Sequence, residues 1–266
     1  MQPTLPEMIR LAMGAGEILR AGFGKTHDIR RKSRIDIVTE VDERSEKYLL
    51  QQIRSRFAGD AIVAEESGEI RGDSGNTWYI DPLDGTTNYA HNMPIFAVSL
   101  AYAVNGVLQL GVVYDPLRDE CFFAERGGGA FLNGEAIKVS PETELVNSLL
   151  VTGFPYDIRE NPANNLDNFG SFAMQAQAIR RLGSAVLDLC YIAAGRMDGY
   201  WEIGLKAWDI AAGTLLVQEA GGKVSDLNGA DQFMRPPYSL ICANPLLHEK
   251  MLRVIRQVGE QRKEKP

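Results

Sequence analysis

The stretch Trp78-Tyr79-Ile80-Asp81-Pro82-Leu83-Asp84-Gly85-Thr86-Thr87-Asn88 holds the densest chemistry in the chain. Trp78 to Ile80 read as a buried strand that ends in an acid. Pro82 presets φ at a turn, and Gly85 permits the tight backbone behind Asp84. Two carboxylates three residues apart across such a turn can converge, with the Leu83 carbonyl pointing the same way. That oxygen set suits a hard divalent cation. Gly85-Thr86-Thr87 then offers backbone N–H groups at an expected helix start, a cradle for a phosphate dianion. A plain Asp-rich turn would explain D-P-x-D alone; the full run D-P-x-D-G-T-T-N is far more specific.

Upstream, the strand-like Ala61-Ile62-Val63-Ala64 delivers Glu65 to another strand end. Adjacent strand side chains point oppositely, so only one of Glu65 and Glu66 faces a shared site. By itself an acid pair after a strand is more often a solvated loop than a ligand. Downstream, Asp209 follows Trp208 and reads as the N-cap of a helix over Ile210 to Ala220. A capping carboxylate keeps lone pairs for a second partner. Asp42 is fully explained as the last member of a capping box, Thr39-x-x-Asp42.

Periodicity predicts helices over Pro6 to Phe23 and from Thr39 through Phe57, with a polar connection between them. Strands follow at Ala61 to Ala64, Thr77 to Ile80, Ile95 to Val104, Val107 to Tyr114, Glu120 to Ala124 and Ala130 to Leu132. Asn105-Gly106 and Asn133-Gly134 mark hairpins. The first half therefore reads as helices followed by an antiparallel sheet. In the second half, strands at Leu149 to Thr152, Gly199 to Ile203, Lys223 to Ser225 and Tyr238 to Cys242 alternate with helices. Those helices are expected over Leu166 to Ala178, Ser184 to Ala194, Ile210 to Ala220 and Pro245 to Val258. The class is mixed α and β, with sheets covered by helices.

The bulk properties narrow the field. The 266 residues can bury a substantial core as one large domain or two lobes. A net charge of −7 argues against a nucleic-acid partner. No run approaches the roughly 18 apolar residues of a membrane span, and Met1 to Arg10 show no secretory pattern. Cys121, Cys190 and Cys242 are widely spaced, which indicates neither a disulfide framework nor zinc, and a reducing cytoplasm is the simplest location. His27, His91 and His248 lack ligand spacing. Gly127-Gly128-Gly129 precedes a strand and reads as a hairpin turn rather than a phosphate loop.

Taken together, Glu65-Glu66, the Asp81 to Asn88 run and Trp208-Asp209 resemble the inositol monophosphatase family of lithium-sensitive, magnesium-dependent phosphatases. So do Asp36 to Asp42, Arg181-Leu182-Gly183-Ser184-Ala185 and Gly199-Tyr200-Trp201-Glu202. The resemblance spans almost the whole chain. It implies an α/β (α+β layered) fold, an αβαβα five-layer sandwich of the sugar-phosphatase type. It also implies a single domain over 1–266, with an N-terminal lobe to about 145 and a C-terminal lobe from about 146.

The family pattern implies Mg²⁺, with Mn²⁺ an alternative, at two or three positions. Glu65, Asp81 and the Leu83 carbonyl would hold one ion; Asp81, Asp84 and Asp209 a second; a weaker third would lie near Glu65. Thr86 and Glu65 would orient the attacking water, with Asp42 behind Thr86 in a proton relay. Gly85, Thr86, Gly183, Ser184, Ala185, Glu202 and Asp209 would contact substrate. Read from the sequence alone, Glu202 divides evenly between that role and an exposed acid, and Lys32 reads as a solvated loop residue. The expected substrate is inositol 1-phosphate, a small phosphate monoester. Alternatives are fructose 1,6-bisphosphate or dual specificity, for which Lys206 would suit a second phosphate, and a non-catalytic scaffold of the same fold. The resemblance further implies a homodimer.

Overall fold

A computed structural model describes residues 2–162 and 164–264, the last two of these without their side chains. Helix α1 (Leu5–Gly22) buries Met8, Ala12, Ala15 and Leu19 along one stripe. Between it and α2 (Glu40–Arg56), strands β1 (Ile29–Arg31) and β2 (Ile37–Thr39) pair antiparallel. The expected polar connection is thus a hairpin, whose β1 residues are all exposed and carry no apolar alternation to betray it. The Thr39 N–H donates to Asp42 at 2.9 Å, which closes the expected capping box of α2.

The first large sheet contains β3 (Ala61–Ala64), β4 (Gly68–Ile70), β5 (Asn76–Asp84), β6 (Ala97–Val104), β7 (Val107–Asp115), β8 (Glu120–Glu125), β9 (Gly129–Leu132) and β10 (Glu135–Ala136). Its spatial order is β10-β9-β8-β7-β6-β5-β3-β4. Both Asn-Gly pairs turn hairpins with positive φ at each residue, 50° and 78° at Asn105-Gly106, 49° and 89° at Asn133-Gly134. The sheet is not purely antiparallel as expected, because β3 runs parallel to β5. Side-chain alternation carries no information on strand direction, so this pairing was not readable. The short helix α3 (Thr86–Ala90) follows β5.

The second sheet, order β12-β11-β13-β15-β14, is built from β11 (Leu149–Thr152), β12 (Ala178–Arg180), β13 (Gly199–Glu202), β14 (Lys223–Ser225) and β15 (Leu240–Ala243). Interleaved with these strands are α4 (Leu166–Ala173), α5 (Ala185–Ala193), α6 (Ala207–Glu219) and α7 (Pro245–Glu264). Two expectations need correction. The helix expected to reach Ala178 stops at Ala173, and Ala178 instead opens edge strand β12, paired parallel to β11. Helix α6 starts at Ala207, so Asp209 is its third residue rather than its N-cap, and its carboxylate accepts the Lys206 N–H at 2.8 Å.

The layers run α1 and α2, large sheet, α5 and α6, small sheet, α4 and α7. Strand β6 shows how a period of two serves both sides of one sheet. Val98, Leu100 and Tyr102 join the core under α1 and α2, whereas Ala97, Ala101 and Ala103 join the core around α5 and α6. A third core packs Leu150, Trp201 and Ile241 beneath Phe172 and α7. Each fully buried Leu or Ile contributes about 1.5–3 kcal/mol, so the three cores hold the layers in register. Cys121, Cys190 and Cys242 are buried free thiols. Among the described residues no helix is long and apolar enough to cross a membrane.

Candidate active site

The site begins with an irregularity in β5. On a regular strand, residues three apart face opposite sides of the sheet. Here Asp81 pairs with Ser99 and Asp84 with Ala97, so three steps on β5 match two on β6. This one-residue bulge returns Asp84 to the face of Asp81, the face that looks toward α5 and α6. Pro82, which has no N–H to give a ladder, sits inside the bulge where none is needed. Gly85 then takes φ +98°, and a Cβ there would approach the Ile95 carbonyl oxygen to 2.8 Å.

Helix α2 supports the turn from behind. Ser45 donates to the Pro82 carbonyl at 2.9 Å, and Asp42, one turn earlier, accepts the Thr86 hydroxyl at 2.9 Å. Asp42 also takes the Thr39 hydroxyl at 2.5 Å. Glu46, on the same face, accepts the Glu66 N–H at 2.8 Å and the Ser67 hydroxyl. Asp42, Ser45 and Glu46 continue the apolar stripe of Leu49 and Ile53 as a polar one. That spacing was the available signal for Ser45 and Glu46, which sequence reasoning missed.

These elements open into a cleft of about 460 Å³ lined by Glu65, Asp81, Leu83, Asp84, Gly85 and Thr86 from the large-sheet side. Gly183, Ser184, Ala185, Glu202 and Asp209 line it from the other side. Every expected ligand and substrate contact therefore meets in one cavity, with Asp42 behind Thr86. Glu65 faces this cleft and Glu66 lines a separate groove on α2, but both sit in the turn after β3, so strand alternation is not what separates them. Asp84 crosses between sheets, accepting the Ser184 hydroxyl at 2.6 Å and the Val186 N–H at 2.8 Å at the start of α5. Asn88 makes a second crossing by donating to Leu182 O at 2.8 Å and Ile95 O at 2.9 Å.

Lys32 departs from the sequence reading, and Asp188 and Tyr156 were absent from it. Lys32 is no solvated loop residue: its Nζ lies 3.0 Å from Glu65 and 2.6 Å from Glu66, with the side chain 27% exposed. Glu202 is no exposed strand-end acid, because it lines the cleft and its Oε2 accepts the Tyr200 hydroxyl at 2.7 Å. Asp188, in the otherwise apolar α5, also lines the cleft; an acid amid Ala185 to Ala193 gave no sequence signal beyond its isolation. Tyr156 stands at the mouth, 59% exposed.

The electrostatics are those of crowded acids. Burial, then the neighbouring Glu65, Asp84 and Asp209, hold Asp81 well above the ordinary carboxylate range. Asp209 is held high by burial and by Asp84 and Glu65. Burial lifts Asp84 to about 6 against the pull of Ser184 and Val186, and Glu65 to about 7 against that of Lys32. Burial likewise raises Asp42, opposed by its Thr39 and Thr86 hydrogen bonds. Such a cluster is destabilising unless positive charge offsets it, and all its donors are hard oxygens. The donor chemistry fits Mg²⁺ or Mn²⁺. Among the described residues no three acidic, Cys or His side chains form an ion-coordinating group in this conformation. Asp84 is turned to Ser184 and Glu65 to Lys32, as unscreened like charges favour.

The sequence matches the model of the inositol monophosphatase family over residues 1–260. It is 42% identical over 259 residues to the Nus factor SuhB of Pasteurella multocida, covering 96% of this chain and 97% of the relative. It is 40% identical over 253 residues to the inositol-1-monophosphatase of Mesorhizobium japonicum, covering 94% and 95%. The solved inositol monophosphatase from Anabaena superposes with a TM-score of 0.86 at 42% identity, covering 95% of each chain.

Proposed function

The chain belongs to the inositol monophosphatase family, and from that premise we propose that it hydrolyses inositol 1-phosphate to inositol and phosphate. The observation that carries the reading is the β5 bulge, which sets Asp81 and Asp84 on one face of a cleft shared with Glu65 and Asp209. Two or three Mg²⁺ or Mn²⁺ ions held by Glu65, Asp81, the Leu83 carbonyl, Asp84 and Asp209 would supply charge to offset the phosphoryl oxygens and acidify water.

The chain's own groups do the rest. Thr86 Oγ1 takes a proton from the attacking water while its own proton passes to Asp42, along the existing 2.9 Å hydrogen bond. The raised proton affinity of buried Asp42 suits that acceptor role. Glu65 orients the water from the opposite strand end. Gly85, Thr86, Gly183, Ser184 and Ala185 wall the phosphoryl group, and Glu202 accepts a ring hydroxyl through the oxygen not used by Tyr200. The family resemblance carries with it a cytoplasmic homodimer acting on small phosphate monoesters.

Two competing readings have support of their own. Arg159, Arg181 and Lys206 also line the cleft, which favours a second phosphate as in fructose 1,6-bisphosphate. The Pasteurella multocida relative is named a Nus factor, which favours a non-catalytic role for the same fold. Purified protein assayed with Mg²⁺, with and without Li⁺, against a panel of phosphate monoesters separates them. We expect kcat/KM for inositol 1-phosphate to exceed that for fructose 1,6-bisphosphate by at least about tenfold and to fall with Li⁺. Turnover of neither by folded, ion-binding protein sinks the catalytic reading.

A further inference from the structure

Asp188 is 1% exposed, yet it lines the cleft. Its Oδ1 has no hydrogen-bond partner in the protein. A buried carboxyl oxygen with no partner, on a residue that lines a cavity, is a costly feature that the fold does not need, because the positions around it on α5 are apolar and well buried. Four residues after the N-cap Ser184, it stands on the same end of α5 that receives Asp84.

We propose that Asp188 is a specificity-determining residue whose carboxyl forms, with Glu202, the end of the cleft that takes the hydroxyl groups of a polyol phosphate. The proposal rests on the polyol-phosphatase reading above. Glu202 has one oxygen occupied by Tyr200 and the other free to accept. Gly153 makes room for the Glu202 carboxyl: a Cβ there would lie 2.1 Å from its Oε1. Asp188 supplies the complementary group. Burial, with Glu202 and Asp84 nearby and Arg181 opposing, raises its proton affinity, and a carboxyl that holds a proton both donates and accepts. A sugar-alcohol hydroxyl also does both. A second phosphate placed there would meet these two acids beside Arg181.

The test compares wild type, Asp188→Leu and Asp188→Asn on inositol 1-phosphate and on phenyl phosphate, whose leaving group bears no further hydroxyl, together with thermal unfolding. Leu fills similar space without polar atoms. It should raise KM for inositol 1-phosphate about tenfold or more, leave phenyl phosphate kinetics within about twofold, and keep or raise Tm. Asn, which keeps a donor and an acceptor in the same shape, should stay within about threefold of wild type on both substrates. A Leu variant that unfolds, melts lower, or loses both substrates alike assigns Asp188 a structural role and overturns the proposal. An unchanged KM in that variant overturns it too. Failure of wild type itself to turn over inositol 1-phosphate instead overturns the parent reading, and this one with it.

Discussion

At the scale of single residues, the cleft shows what burial does to an acid. Glu202 rises from the ordinary 4.5 to about 7, chiefly through burial and against the hydrogen bond from Tyr200. Between those two values the folded state binds a proton that the unfolded chain has released. Its contribution to stability is therefore complete below about pH 4.5 and is lost as pH rises through 7. In metal-free protein, urea unfolding at pH 5 and pH 8 should show a smaller stability difference for Glu202→Gln than for wild type. An equal difference would deny that Glu202 is protonated in the fold. Individual acids were legible where a motif framed them, as at Asp81, Asp84 and Glu65. Lys32 and Asp188 were not, because what defines each is a partner far along the chain, or the lack of one. Asp42 lay between: its cap role was visible locally, and its bond to Thr86 needed the fold.

At the scale of elements, the decisive unit is the turn from Asp81 to Thr86. Gly85 holds it in a conformation an L side chain resists, with the Ile95 carbonyl against its open side. Gly85→Ala should cost about 1–3 kcal/mol in urea unfolding. It should also cut turnover more than that loss of stability accounts for, since Asp84 and Thr86 flank it. Unchanged stability and turnover would show that the turn tolerates the methyl. Elements with strong local chemistry were readable: α1 from its stripe, β6 and β7 from Asn105-Gly106, the start of α2 from its box. The elements that escaped, β1, β2, β4, β10 and β12, are two or three residues long at sheet edges or in a small hairpin, too short to show a period. The bulge in β5 escaped for another reason. It exists only relative to β6, and the partner register is not written in either strand.

At the scale of the molecule, the acids come from both sheets' surroundings: Glu65, Asp81 and Asp84 from the large sheet, Asp209 from α6 in the middle layer. We propose a division into lobes near residue 145, consistent with the absence of strand pairing between the two sheets among the described residues. Joining the halves sets like charges face to face, which makes a sign-changing prediction. Without divalent ions, Asp209→Asn should be more stable than wild type, because one repelling carboxyl is gone. With saturating Mg²⁺ the order should reverse, since wild type gains about 2.7 kcal/mol at a hundred times Kd and the variant gains less. Calorimetry with EDTA or Mg²⁺ reads both; the same order in each would mean Asp209 takes no part in ion binding. The layered class was legible from the run of helices and strands, whereas which halves of the acid set would face each other was a property of assembly alone. One last point follows from the extra residue between Asp81 and Asp84. Pair those same residues one for one with β6 and the ladder becomes flawless, while Asp84 turns its back on the cleft toward α1 and α2. The chain's chemistry thus depends on a miscount its sheet would otherwise be better without.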